Sequence, residues 1–584
     1  MKILRAVLSL IALLSSASIA GAQVVIEQRV QEVPARPGMP QPRDRTTQRT
    51  GTAMISGRIT AADTAAPLRR VQVRVMGSEL RGARMALTDA DGRYFVRELP
   101  AGRYNVYAMK PGYVMMTYGQ KRPMQQGTPI ELADGQKVET ANIALPRGGV
   151  VTGHVFDDFG EPVVDARVTA MQYRWFNGRR RTMMTGRPGM TNDRGEYRIW
   201  GLSPGEYYIG AAANDRMFGG GPDESVGTSG DNSGYAPTYY PGTGSIDEAQ
   251  RVTVAAGQEL GGIDLSLMLI RTVRVSGTAL ASDGRPMTNG YVSLMPRTEV
   301  EGGLMMMGGA GGSVDSTGAF TINGVAPGDY VLMARGGDSM QGPGGSMPEV
   351  ASATISVGTE DLKGVVVTAT KGVRVSGRVV YEGGTPSEGL ERMRISASAM
   401  DVGAAMMMGG MGSGRVTPQG TFELRGVFGR RRITAGPTPN GWTVKSVRVA
   451  GVDISESGYE FGKEDVSNVE VLLTNRVSVV TGTIKDAKGE LVADAAVLIF
   501  SADEEYWGQS MSRRITTGRP DQNGTYRIRA LPPGTYYALA LESQPDEWGN
   551  PELFHKLKPL ATSFTLAEGE TQTLELKLKE MPGS

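Results

Sequence analysis

Two histidines, His154 and His555, supply all the imidazole in 584 residues, and no cysteine accompanies them. A catalytic zinc takes about three protein ligands, usually histidine with a carboxylate. His154 is followed by Val155-Phe156-Asp157, which lacks the His-x-x-Glu spacing, and His555 stands far down the chain. His154 therefore reads as a position on a strand and His555 as a polar loop position. A Ser-His-Asp arrangement meets the same shortage, and no Gly-x-Ser-x-Gly elbow occurs between a strand and a helix. No Gly-x-x-x-x-Gly-Lys-Ser/Thr loop is present to hold phosphates. Carboxylate pairs at Asp157/Asp158 and Glu504/Glu505 fall in predicted loops, whereas a glycosidase pair needs a fixed cleft. Asp89-Ala90-Asp91-Gly92 has half a calcium loop, but Pro100 stands where the closing Glu is due, so a hairpin turn is predicted. No catalytic residue, metal ligand or cofactor is assigned.

Two other groups bear on binding. One stretch reads Tyr173-Arg174-Trp175-Phe176, then Arg179-Arg180-Arg181 and Thr185-Gly186-Arg187-Pro188. A second reads Tyr506-Trp507, then Arg513-Arg514 and Thr517-Gly518-Arg519-Pro520. Exposed rings stack on sugars while arginine supplies hydrogen bonds, so Tyr173, Trp175, Arg187, Tyr506, Trp507 and Arg519 are the candidate ligand-binding residues. The alternative is that each Trp packs over the edge of its domain and arginine stems cover it. Met305-Met306-Met307 and Met406-Met407-Met408 lie in matching glycine-rich stretches. Thioether clusters hold copper(I) or adapt to apolar partners, but these surroundings read as flexible insertions.

The elements that must position these residues recur. Ile55-Ser56-Gly57, Val151-Thr152-Gly153, Val275-Ser276-Gly277, Val375-Ser376-Gly377 and Val480-Thr481-Gly482 open five stretches of roughly 100 residues, one small domain each. A Gly-based turn follows, then an alternating strand such as Val71-Gln72-Val73-Arg74-Val75, with three valines on one face. Next comes a Gly, one residue, then an aromatic, as in Asp91-Gly92-Arg93-Tyr94 or Thr317-Gly318-Ala319-Phe320. A second turn reads Leu99-Pro100-Ala101-Gly102-Arg103-Tyr104 or Leu531-Pro532-Pro533-Gly534-Thr535-Tyr536. A last alternating strand, such as Leu574-Glu575-Leu576-Lys577-Leu578, closes the unit. Short strands at this spacing, without a convincing helix, predict an all-β chain of tandem antiparallel sandwiches. Few residues join one unit to the next, so a semi-rigid extended string is expected. The fourth unit departs: Val427-Phe428-Gly429-Arg430-Arg431 lacks the Pro and Tyr, and an extra alternating segment runs through Val444, Val447 and Val449.

This order of strand-Gly, Gly-based turn, Asp-x-x-Gly-x-Tyr and Leu-Pro-x-Gly-x-Tyr resembles the carboxypeptidase regulatory-like domain. The resemblance implies a transthyretin-like, prealbumin-type β-sandwich, similar to domains appended to metallocarboxypeptidases, to adhesin stalk repeats and to starch-binding modules. It runs from about residue 51 onward and speaks to fold far more than to function. The domain bounds expected are 51–147, 148–271, 272–370, 371–475 and 476–584.

Upstream, Lys2 and Arg5 precede an apolar run through Leu8, Leu10, Ile11, Leu13 and Leu14, and Ala20-Gly21-Ala22 offers a cleavage site. This reads as an export signal over 1–22, with residues 23–50 a Pro/Gln/Arg-rich linker. The mature chain is expected to hold no transmembrane segment. Absence of cysteine excludes a disulfide scaffold and a cysteine-linked lipid anchor. Net charge +1 gives no basic field for nucleic acid, and 80 glycines with 32 prolines suit many tight turns. The function expected is a non-catalytic, exported structural or interaction protein, periplasmic, outer-surface or extracellular, whose partner is an envelope protein or a polysaccharide. The second reading is carbohydrate binding through the aromatic and arginine stretches of the second and fifth repeats, and the third a component or remnant of a peptidase system.

Overall fold

The computed structural model describes residues 50–581, apart from 81, 124, 177–178, 214–232, 289, 298–309, 337–348, 387–388, 401–411, 510–511 and 546–548. The expected export signal, nearly all of the linker and both methionine triplets lie outside the described residues.

Each repeat encloses its own apolar core between two sheet layers, the arrangement expected of a β-sandwich; in the fifth, Leu576–Lys579 pairs with both layers and joins them into one eight-stranded sheet. The opening strand (Ala53–Ala61 in the first repeat) lies between an antiparallel neighbour, Arg93–Leu99, and a parallel one supplied by the end of the repeat. The second sheet is built on Gln72–Gly77 paired with Gly102–Met109, where Val73, Val75, Tyr104 and Val106 face inward. The same order recurs in the second repeat with Gly149–Phe156 and Arg167–Phe176, and in the fifth with Val479–Lys485 and Ala496–Ser501.

The geometry explains the recurring residues. The last strand crosses so close to the opening strand that a Cβ at Gly57, Gly153, Gly277, Gly377 or Gly482 would collide with a backbone carbonyl. In three repeats that same carbonyl accepts the hydroxyl of the aromatic after the first turn. Tyr94 donates to Ala141 O at 2.7 Å, Tyr197 to Ile263 O at 2.5 Å and Tyr526 to Leu574 O at 2.6 Å. Burial holds each of these phenols well above its ordinary pKa. Phe320 and Phe422 have no hydroxyl to offer. In their repeats the last strand runs unbroken as Leu362–Thr368 and Val466–Thr474, where the Tyr repeats split it in two.

The second turn is tied by its own tyrosine. Tyr104, Tyr207, Tyr330 and Tyr536 each donate to the carbonyl four residues back, at 2.7, 2.5, 2.8 and 2.6 Å. The fourth repeat keeps the tie without the tyrosine: Arg431 fills the place and its Nε donates to Phe428 O at 2.9 Å. Its extra alternating segment forms the strand Thr443–Val449, antiparallel to Val466–Thr474.

Two expectations are corrected. A helix does form, Pro551–Leu557, where His555 was read as a loop position. Asn550 caps it by accepting from Glu552 N, and Leu553, Phe554 and Leu557 bury one face. The repeats also do not run out as an open string, because the fifth folds back on the first and packs on the fourth. Gln522 clasps the backbone of Glu131 with both ends of its amide, at 3.0 and 2.7 Å, and Arg103 donates to Arg527 O at 3.0 Å. Lys445 of the fourth repeat bridges Glu382 and Glu568, while Arg513 meets Glu456 at 2.9 Å.

Candidate functional site

In the second repeat, Arg167–Phe176 and Arg179–Met190 form a long antiparallel hairpin at the edge of the second sheet. Alternation sends Val168 and Ala170 to the core and Met171, Tyr173 and Trp175 to the outer face. Met171 is covered by Tyr239 and Ile246, and the cover thins beyond it, leaving Tyr173 and Trp175 half-buried. Tyr173 donates to Asp247 Oδ1 at 2.9 Å, meets Tyr208 edge-on at 5.3 Å and lies under the Arg180 guanidinium at 3.9 Å. Burial, then the Asp247 hydrogen bond, push the Tyr173 phenol up to about 12. Arg251 extends the array, donating to Tyr208 Oη at 3.0 Å and to Glu206 at 2.9 Å. Trp175 stands directly opposite Arg180 across the hairpin. The result is an aromatic and cationic platform, suited chemically to stacking and hydrogen bonding. Arg187 does not join it: it follows Gly186 in a bulge and lies 5.3 Å from the Trp200 ring of the other sheet.

The fifth repeat places its matching residues elsewhere. Trp507 is 1% exposed, donates Nε1 to Ser501 O at 2.8 Å and packs against Phe500, Phe554 and His555. The helix Pro551–Leu557 roofs it over, so this ring has no free face for a sugar. Tyr506 is half-buried at the end of the short 3-10 turn Glu504–Tyr506, 5.0 Å from the Arg514 guanidinium. The Glu505 hydrogen bond and then burial push its phenol up to about 12. Arg519 is 4% exposed and donates to Gly119 O at 3.1 Å, Gln126 O at 2.5 Å and Asp494 O at 2.6 Å. It thus joins the first repeat to the fifth. Burial lowers its pKa, with Asp494 opposing. Beside it, Lys121 pairs with Asp494, and a cavity of about 360 Å³ opens between the repeats, lined in part by Tyr118, Gln120, Asn142 and Gln522. No local pattern marks this junction, since Gly119 and Arg519 are 400 residues apart.

The histidines occupy separate repeats. His154, on the opening strand, has its Nδ1 3.2 Å from Asp264, and His555 Nε2 lies 3.8 Å from Glu504. Asp89 Oδ1 accepts from the backbone of Asp91 and Arg93, as a hairpin turn requires. Among the described residues, no group of three or more His, Cys, Asp or Glu is placed to hold a metal ion. No helix among them is long and apolar enough to cross a membrane.

Residues 54–146, the first repeat almost entire, match the family model of the carboxypeptidase regulatory-like domain. No curated protein matches the chain. Among solved structures, it is similar to the minor pilin of Streptococcus agalactiae at 11% identity, over 37% of this chain and 96% of that one, with a TM-score of 0.20. It is similar to the major pilin subunit of Bacillus cereus at 12% identity, over 55% and 99%, with a TM-score of 0.13. A putative carbohydrate binding protein of Pseudomonas aeruginosa matches at 15% identity, over 17% and 88%, with a TM-score of 0.12.

Proposed function

We propose that this chain is a non-catalytic, exported interaction scaffold of five carboxypeptidase regulatory-like domains, bounded as the sequence predicts, that holds its outward hairpins in a set arrangement for an envelope partner. The observation that carries this reading is Arg519, buried between the first and fifth repeats with three backbone carbonyls as its partners. A guanidinium so committed serves a fixed junction and not a free ligand. The recurring Gly and Tyr ties support it, because they stiffen each unit without building a cleft for chemistry. Small-angle scattering of residues 23–584 tests the scaffold. Wild type is expected to give a smaller radius of gyration than Arg519→Ala, and equal radii, at the value of an open string, would overturn it. Sequencing the mature N-terminus tests export, with Gln23 as the expected first residue.

A second reading, carbohydrate binding, is favoured by one observation: the half-exposed Tyr173/Trp175 face with Arg180 above it. It no longer includes Arg187, Trp507 or Arg519. A glycan array with wild type and Trp175→Ala decides it, and a wild type that binds no glycan sinks it.

A further inference from the structure

The second repeat carries opposite charge at the two ends of its hairpin. Residues 157–165, which lead into the base, hold Asp157, Asp158, Glu161 and Asp165 and no basic residue. Asp165 N donates to Thr191 O at 3.2 Å, which sets this stretch beside the end of the hairpin's second strand. Residues 174–181, around the tip, hold four arginines and no acid. The strand from Arg167 to Trp175 keeps base and tip about 26 Å apart at its ordinary rise.

The acidic end is also apolar. Phe159 is 83% exposed on a turn that fixes it in place. Asp157 Oδ1 accepts from Phe159 N at 2.9 Å and from Glu161 N at 2.7 Å, and Gly160 takes a φ of 82°. The fifth repeat builds the same turn with Lys488 in that place: Asp486 Oδ1 accepts from Lys488 N at 2.8 Å and from Glu490 N at 2.9 Å. The turn therefore does not require a phenylalanine, and water favours the lysine. A single exposed ring is ordinary, but this one has company. Asp158 accepts the Tyr235 hydroxyl at 3.2 Å, and Tyr235 stands opposite Leu269, which is 46% exposed. Among the described residues, no cation pairs with Asp158 or Glu161, both of them exposed. Basic groups on the opening strand and on the turn against Pro162 are engaged, His154 by Asp264 at 3.2 Å and Arg194 by Glu196 at 2.8 Å.

The other end of the hairpin is the platform. Arg180 is exposed, lies 3.9 Å from the Tyr173 ring centre and pairs with no carboxylate among the described residues. The carboxylates beside the platform are taken, Asp247 by Tyr173 and Glu206 by Arg251. Half-exposed rings beside an unpaired guanidinium can accept an apolar ring and a carboxylate together.

We propose that the acidic turn of one copy of this chain docks, head to tail, on the Tyr173/Trp175/Arg180 platform of a second copy. Phe159 packs on the platform rings, and Asp158 or Glu161 meets Arg180. The two surfaces lie at opposite ends of one hairpin, so a copy cannot close on itself through them. Each added copy leaves one surface of each kind free, and association continues along a row. The contact is small, so the association is weak and sensitive to salt. It rests on reading the chain as an interaction protein, but not on export, the fold-back or sugar binding. Scattering, the glycan array and self-association can therefore fail separately.

Sedimentation velocity of the full mature chain tests it, from micromolar to near-millimolar concentration. At low salt the wild-type sedimentation coefficient is expected to climb with concentration past that of a dimer, and to fall back at high salt. Phe159→Lys and Arg180→Glu should each weaken association at least about tenfold. Phe159→Lys copies the fifth repeat's own turn and should melt as wild type does. An equimolar mixture of the two variants should recover dimers and stop there, since each supplies the surface the other lacks. Leu491→Lys, which removes an exposed side chain beside the fifth repeat's turn, should change nothing. A wild type that stays monomeric throughout overturns the proposal, as does association left undiminished by either variant or equally lost in Leu491→Lys. A mixture that stays monomeric overturns the head-to-tail arrangement. Phe159-dependent binding to phosphatidylcholine vesicles without self-association assigns the turn to a lipid surface and overturns it also.

Discussion

The second and fifth repeats carry nearly the same words: an aromatic pair, a basic run and Thr-Gly-Arg-Pro. In both, the tryptophan emerges on the outer face of the second sheet. In the fifth, the helix Pro551–Leu557 lies over that face and Trp507 becomes core. In the second, the hairpin outruns its cover, and Trp175 stays half-exposed opposite Arg180. The arginines diverge in the same way. Arg519 is buried in a junction with the first repeat, while Arg187 lies against Trp200 within its own repeat. Equal motifs therefore do not make equal sites, because burial is decided by whatever segment passes over the sheet.

Five substitutions break or sharpen that contrast. Trp507→Ala should cost the fifth repeat about 3–5 kcal/mol, read by denaturant unfolding, because it empties a fully enclosed space. Trp175→Ala should cost within about 1 kcal/mol, since its site is partly open to water. Comparable losses would erase the distinction between core and platform. Arg519→Ala leaves the backbone carbonyls of Gly119, Gln126 and Asp494 without their charged donor, and a loss of about 1–3 kcal/mol is expected at the junction. It should appear as faster amide exchange near Gly119 and Gln126. Arg187→Ala, which removes only a ring contact, should cost less than about 1 kcal/mol. Asn550→Ala removes the helix cap and should cost about 1 kcal/mol, with fluorescence of Trp507 reporting the loosened roof.

The smallest effect is electrostatic. The Lys445 hydrogen bond holds the Glu382 carboxyl below its ordinary value, while hydrogen bonds to Glu382 and Glu568 raise Lys445. A depressed carboxyl contributes stability above its unfolded pKa and loses it as pH falls through the folded value. The raised lysine contributes below its unfolded pKa and loses it as pH rises through the folded value. The latch between the fourth and fifth repeats is therefore expected to hold at neutral pH and weaken at both acid and strongly alkaline extremes. The pair is solvent-screened, so Lys445→Met should change stability only slightly. Its signature is flattening of the pH dependence of unfolding.

Much of the fold was legible in the chain. The Gly of each opening phrase marks where the last strand crosses, and period-two valines mark the inner faces. Tyr94 and Tyr104 announce the two turns through side chains long enough to reach a carbonyl. The roofing helix left a signal, Asn550-Pro551-Glu552 before Leu553, Phe554 and Leu557, but seven residues are too few for a clear helical period. The platform was half legible. Tyr173 and Trp175 share a face by alternation, yet Asp247, Tyr208 and Arg251 reach them from distant segments. Arg180 was visible only as part of a basic run, because cross-strand register is set by pairing and not by composition.

The sequence by itself determined the unit: its length, its sandwich, its two tied turns and the residues that vary between copies. Those are local matters, fixed by alternation, glycine and the reach of a tyrosine hydroxyl. Only the tertiary structure decided which copy hides its tryptophan, which arginine joins repeats and which lies over a tyrosine ring. Those depend on contacts between segments hundreds of residues apart, where burial and charge pairing are settled by the segment that arrives and carry no mark in the local sequence.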